Sequence, residues 1–330
     1  MNIKKIGLTA LAGSLVATSA YAGALTLNGG AKLSYTTYGG SIATKDVASG
    51  FAMDQELSAT GSGELDNGMT ISVTHGFRGY ATGSDTSSLT LDMGDMGSIS
   101  YNDTDGHYGL AALEDKMPLA YEQANDGLGT TATAANMAKM NSGQGFGYSV
   151  NVNGVSVGLG WSDGLGAVTD RTDGQQDTSV ASTNSSSSLA LQYTFEDLGL
   201  TVMAGTGEEG QADGKELDHT TVGAIYTYGP VSVGYQVNDE DDSDTTSTTT
   251  DMETEIYSVA FNVNENLSIS YGEHNTEKDG STVDQEAKSL QASYSMGGMT
   301  INLKDSEMDN VGNSANTTHE TTEILVTFAF

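Results

Sequence analysis

Six carboxylates crowd one stretch of this chain: Asp103, Asp105, Glu114, Asp115, Glu122 and Asp126 fall between residues 103 and 143, against Lys116 and Lys139 alone. Their irregular spacing builds neither a catalytic acid pair nor a ligand set. It builds a patch of negative potential, which concentrates cations and turns anions away. Other chemistries find little support. His75, His107, His219, His274 and His319 are scattered without metal-ligand spacing, and no serine sits in a G-x-S-x-G elbow. Cysteine is absent, which excludes disulfides and thiolate sites. The acid runs Glu208-Glu209 and Asp239 to Asp242 have the chemistry for weak Ca²⁺ or Mg²⁺ binding, or for bridging to anionic lipid through such ions. None forms a twelve-residue calcium loop, so no resident cofactor or enzyme activity is expected.

A field needs an opposite side, and strand parity supplies candidates. Leu25, Leu27, Leu33 and Tyr35 alternate on one face, which sends Lys32 to the other. Met69, Ile71, Val73 and Phe77 alternate likewise, so Arg78 shares the face of Lys32, as do Glu56 and Asp92 by the same count. Arg78 and Arg171 are the only arginines in the sequence, and Arg171 falls in a loop.

The elements that position these charges are strands. Phe146, Tyr148, Val150 and Val152 alternate, Asn153-Gly154 turns the chain, and Val155, Val157, Leu159 and Trp161 resume the pattern. The design recurs through Leu189–Ala204, Val222–Val237, Tyr257–Tyr271 and Leu290–Leu303, and a last strand ends the chain. Earlier strands read at about 24–38, 51–65, 68–80, 86–93 and 98–102. The count of about sixteen is even, with short turns at one end and long acidic, Thr/Ser-rich loops at the other. Positions between the apolar residues are polar, as in Thr70, Ser72, Thr74 and Gln291, Ser293, Ser295, which suits a wet interior. This pattern predicts an all-β fold, a 16-stranded antiparallel transmembrane β-barrel whose wall closes on itself. The 103–143 stretch is its third long loop. Such length is uncommon unless functional, and the Gly, Leu, Ala and Pro118 content suits a loop folded inward against the wall. A mobile surface excursion is the other reading, and Thr131–Lys139 has the composition of a short helix.

The ends carry addresses. Lys4 and Lys5, an apolar run and Ala20-Tyr21-Ala22 read as a signal peptide over residues 1–22, leaving a barrel over 23–330. Without that leader, 10 basic residues face 44 acidic ones, a net charge of −34 that repels nucleic acid. At the other end Ile324, Val326, Phe328 and Phe330 line one face of a strand that finishes on an aromatic carboxylate, a pattern that suits a lipid-facing wall. On the outer face of the first two strands Gly29, Ala31, Ala59, Gly61 and Gly63 are small, and close approach of another subunit is expected there.

These features together resemble the general diffusion porins of Gram-negative bacteria, and among them those of alphaproteobacteria. The residues that carry the resemblance are the leader ending ATSAYA, the opening GALTLNGGAKLSY, the long third loop and the terminal TEILVTFAF. The resemblance implies an outer-membrane barrel, commonly a homotrimer, through which small hydrophilic solutes diffuse passively. It implies a third loop that narrows the pore, with the six loop carboxylates on its acidic side and Lys32 and Arg78 on its basic side. It also implies that Phe328 and Phe330 are read by the barrel-assembly machinery, in a membrane rich in lipopolysaccharide. This sequence departs from the pattern by setting one inward arginine, rather than several, against that loop. A cation preference is expected. The alternative is a barrel with a plugged lumen that serves as a structural or adhesive surface protein. Trp161 and most tyrosines face outward by parity, which argues against an aromatic slide for sugars.

Overall fold

The computed structural model describes residues 23, 25–41, 49–78, 84–102, 108–128, 145–162, 185–210, 216–242 and 251–330. The leader 1–22, Asp103, Asp105, His107, Arg171 and the expected helix at Thr131–Lys139 lie outside them. Sixteen strands form among the described residues: β1 (Leu25–Gly40), β2 (Gly50–Glu64), β3 (Thr70–Arg78), β4 (Ser84–Asp92), β5 (Ser98–Asn102), β6 (Gly145–Val152), β7 (Val155–Ser162) and β8 (Ser186–Phe195). The second half continues with β9 (Leu200–Gly210), β10 (Glu216–Tyr228), β11 (Val231–Asp242), β12 (Met252–Asn262), β13 (Leu267–Lys278), β14 (Gln285–Met296), β15 (Met299–Asp309) and β16 (Thr318–Ala329). Each pairs antiparallel with its sequence neighbours, and β1 pairs with β16, so the sheet is a closed barrel.

Alternation decides which way each side chain points. Along β13, Ile269 and Tyr271 are exposed on the outside while Ser270, His274 and Thr276 are buried on the inside. The short connections turn where the sequence predicts, and Asn153 and Gly154 take the positive φ values of 54° and 87° that a two-residue hairpin turn needs. β3 is described as far as Arg78, and its register with β4 shifts between Gly76 and Phe77.

On the outer face, aromatic rings give way to carboxylates one step nearer the long loops. The Tyr235 and Tyr257 hydroxyls donate to the two oxygens of Glu255 at 2.7 and 2.9 Å, and the Tyr271 hydroxyl donates to Glu273 at 3.1 Å. Each ring lies against the apolar band with its hydroxyl at the wet boundary, as expected of an interfacial tyrosine. His75, whose outward position the sequence leaves unexplained, meets Ser87 there: its Nδ1 lies 2.8 Å from the hydroxyl.

The seam between β1 and β16 is completed by the last residue. The Phe330 N–H donates to the Gly29 carbonyl and the Gly29 N–H donates to the Phe330 carbonyl, both at 2.9 Å. The Phe330 ring covers the spot where a Cβ on residue 29 would stand. The ring packs on Gly29 at the outer face where a neighbouring subunit is expected, whereas a Cβ at Gly61 would meet open space. A side chain at position 29 must therefore expel the ring. Gly29→Val is expected to destabilise the barrel by about 1–3 kcal/mol, read as a lower urea midpoint in detergent, and deletion of Phe330 by more because it removes both seam bonds. An unchanged midpoint for both variants would show that the terminus contributes nothing to closure.

Candidate functional site

Segment 108–128, which follows β5 in the sequence, runs along the inner wall. It opens with a 3₁₀ helix over Gly109–Lys116. Its apolar residues Leu110, Leu113 and Met117 bury against inward-facing Ala190, Met203 and Ile256. Leu128 buries against Ala287 and Met308 further round. Polar contacts follow the same path. The Leu110 amide donates to the Ser188 hydroxyl at 3.1 Å, the Gln236 side chain donates to the Leu113 carbonyl at 3.3 Å, and the Ala120 amide donates to the Ser270 hydroxyl at 2.8 Å. Gln291 on β14 clamps the next step: its Oε1 accepts the Tyr121 and Glu122 amides at 3.0 and 3.2 Å, and its Nε2 donates to the Glu122 carbonyl at 2.5 Å.

Inward glycines make room for this segment. A Cβ on Gly205 would stand 2.5 Å from a Leu110 methyl, one on Gly234 would stand 2.5 Å from Pro118 Cδ, and one on Gly272 would stand 2.8 Å from a Leu119 methyl. These lie on β9, β11 and β13, two strands apart each time. Strand glycine is normally a weakness, but here it forms a track.

The segment ends on charge. The Lys304 ammonium on β15 donates to the Gln123 and Asp126 carbonyls at 2.7 and 2.8 Å and lies 3.4 Å from Glu122 Oε2. The Tyr121 hydroxyl donates to Glu323 Oε1 at 3.1 Å, while Thr36 on β1 donates to Glu323 Oε2 at 3.4 Å. Burial, then the neighbouring Glu122 and Glu323, push the Tyr121 phenol far above its usual pKa, so it remains a donor. His319 on β16 contacts the Leu128 carbonyl through Nδ1.

The family model described as Gram-negative porin matches residues 7–255. The chain belongs to the Gram-negative porin family. Solved structures share the barrel. OmpF of Salmonella typhi, in complex with daunomycin, aligns with a TM-score of 0.66 at 14% identity, over 93% of this chain and 97% of its own. A five-residue mutant of the Rh. blastica porin aligns at 0.61 and 16% identity, over 93% and 100%. OmpT, an outer membrane protein of Vibrio cholerae, aligns at 0.66 and 12% identity, over 93% and 97%. No curated protein sequence matched the chain. The protein is thus an outer-membrane porin barrel.

Within the porin, the residues singled out in the sequence separate into groups. Glu122 and Asp126 lie on the inner segment, and the Asp126 carboxylate accepts the Gln123 amide at 3.1 Å. Glu114 lies on it too, its carbonyl accepting from the Gln123 side chain at 3.1 Å. Asp115 lies in the 3₁₀ helix, with its side chain outside the described residues, like Asp103 and Asp105. Lys32, Glu56 and Arg78 stand on the inward face of β1 to β3, all exposed. Arg78 Nε lies 3.4 Å from Asp54 Oδ2, so the wall brings its own carboxylate to the arginine. Asp92 is elsewhere. It closes a short turn by accepting the Gly94 amide at 2.9 Å, at the end of β4 far from the long loops.

One expectation needs correction. Gln291, read as lumen lining, is buried beneath the segment and serves as its dock. Much of the polar inner face from β8 to β16 is a docking bed, and its side chains satisfy loop backbone where water was expected. Lys304 and Glu323 were missed. Leu303 and Ile324 face outward, so the same parity count that placed Lys32 would have turned both inward; nothing in the sequence indicates what they meet.

Filling the glycine track should unseat the segment without opening the barrel. Gly234→Val is expected to retain the heat-modifiable band of a folded barrel while protease cleaves within 108–128 at least about tenfold faster. Cleavage at the wild-type rate would show that the track does not hold the segment.

Proposed function

We propose that this porin is a passive, cation-preferring channel for small hydrophilic solutes and ions, narrowed by segment 108–128, and that it has no enzymatic role. The observation that carries this reading is the asymmetry of the inner face. The segment lies against β8 to β16, with the exposed carboxylate of Asp126 and the partly exposed Glu122 on it. On the neighbouring stretch of wall, Lys32 and Arg78 share β1 to β3 with Asp54 and Glu56, two positive charges against two negative ones. An acidic segment beside a charge-balanced wall favours cations without a strong transverse field. Diffusion needs no binding step, so polar walls and a partial obstruction suffice.

The surrounding assembly completes the proposal. Ala31, Ala59 and Gly61 on the outer face of β1 and β2 suit close contact in a homotrimer, and native mass in detergent measures it. Phe328 and Phe330 suit recognition by the barrel-assembly machinery. The outward carboxylates above the tyrosines suit a lipopolysaccharide leaflet whose phosphates are bridged by Ca²⁺ or Mg²⁺.

Planar-bilayer recording tests the channel. The wild type is expected to insert in conductance steps, with a reversal potential under a KCl gradient that reports cation preference. Glu114→Gln with Asp126→Asn should lower the cation-to-anion permeability ratio about two- to threefold, from roughly half a kT of lost potential. Steps with no preference would remove the selectivity claim, and absence of any conductance would return the plugged structural barrel.

A further inference from the structure

Glu122 reaches the lumen, but its charge does not stand alone. Its side chain is 37% exposed, whereas that of Lys304 behind it is 3% exposed. An ammonium has three donors. Those of Lys304 meet the Gln123 carbonyl, the Asp126 carbonyl and Glu122 Oε2. The lysine is therefore fully engaged by three residues of one segment, and it comes from a strand 178 or more positions away in sequence. Its neighbours in register are Gln291 on β14, which holds the Tyr121 and Glu122 backbone, and Glu323 on β16, which accepts the Tyr121 hydroxyl. Two side chains on adjacent strands thus seize the same turn of the segment, one by amide and one by charge.

We infer that Lys304 is a selectivity-setting and positioning residue of this channel: it pins residues 122–126 to the wall and cancels the Glu122 carboxylate, so that the pore's cation preference is weaker than its count of loop acids implies. The inference rests on the channel reading above and deepens it. A buried cation on the segment's far side subtracts from the potential its carboxylates create, and low exposure spares it from screening by salt. Removing the lysine does two separable things. It leaves two carbonyls without their donor, which loosens the turn, and it exposes an uncompensated carboxylate to the lumen.

The experiment uses the full-length porin, in detergent and in planar bilayers, as wild type, Lys304→Met, Lys304→Arg, Glu122→Gln and the double variant Lys304→Met/Glu122→Gln. Under a KCl gradient, Lys304→Met should raise the cation-to-anion permeability ratio about threefold, the change in ratio from roughly half a kT of added potential. Glu122→Gln should lower it, the double variant should return it close to wild type, and Lys304→Arg should keep it. A role confined to packing would not shift the two single variants in opposite directions. Shifts of the same sign, or none in channels that conduct, overturn the charge-cancelling claim. Amide exchange across residues 121–128 tests the pin without any need for current: Lys304→Met should exchange at least about tenfold faster than wild type, and Lys304→Arg at the wild-type rate. Equal exchange in all variants overturns the pin. A wild type that fails to conduct would sink the channel reading instead, and the exchange comparison would still decide the role of Lys304.

Discussion

Every backbone N–H and C=O in a hydrocarbon layer needs a partner, because an unpaired group there costs several kcal/mol. In this porin that requirement is met by one event, the pairing of β1 with β16, sealed at its end by Gly29 and Phe330. Closure divides the alternating side chains into an outside and an inside. The outside takes Leu, Val, Tyr and Phe, with tyrosyl hydroxyls reaching the carboxylates at its upper edge. The inside is left polar. All chemistry of the molecule follows from what is done with that polar interior.

The interior is used twice. From β1 to β5 the inner face carries Lys32, Asp54, Glu56 and Arg78, charges of both signs drawn from the wall itself. From β8 to β16 it becomes a bed for segment 108–128, with apolar patches for Leu110, Leu113 and Leu128, glycines where the backbone comes close, and Ser188, Ser270 and Gln291 as hydrogen-bond partners. A polar face on a barrel strand does not by itself mean water. Where it lies under a loop, the same serine or glutamine replaces water as partner of the loop backbone.

Much of this architecture was legible in the chain. Period-two alternation, the Asn153-Gly154 turn and the unequal connections predict the strand order, and residues such as Lys32 and Arg78 fall inward by simple parity. The failures share one cause. Glycine in a strand reads as weakness or as room for a neighbouring subunit, yet Gly29 seats the terminal Phe330 ring and Gly234 seats Pro118. Asp92 has inward parity but serves a turn, because its position along the strand places it beside Gly94. Parity states which face a residue occupies. It does not state the height or the occupant of that face.

The sequence by itself determined the barrel, its two faces and its excess of carboxylates, because those depend on local alternation and composition, and the bilayer permits one closure for such a pattern. Which carboxylates find a cation follows from the tertiary structure alone. Glu122 and Lys304 are paired across 182 positions by the path of one loop over the inner wall, and Arg78 finds Asp54 through the stagger of adjacent strands. Electrostatic sums over a sequence treat every charge as exposed. Coulomb's law depends on distance and on the medium between charges, and both come into being only when the wall has closed and the loop has settled inside it.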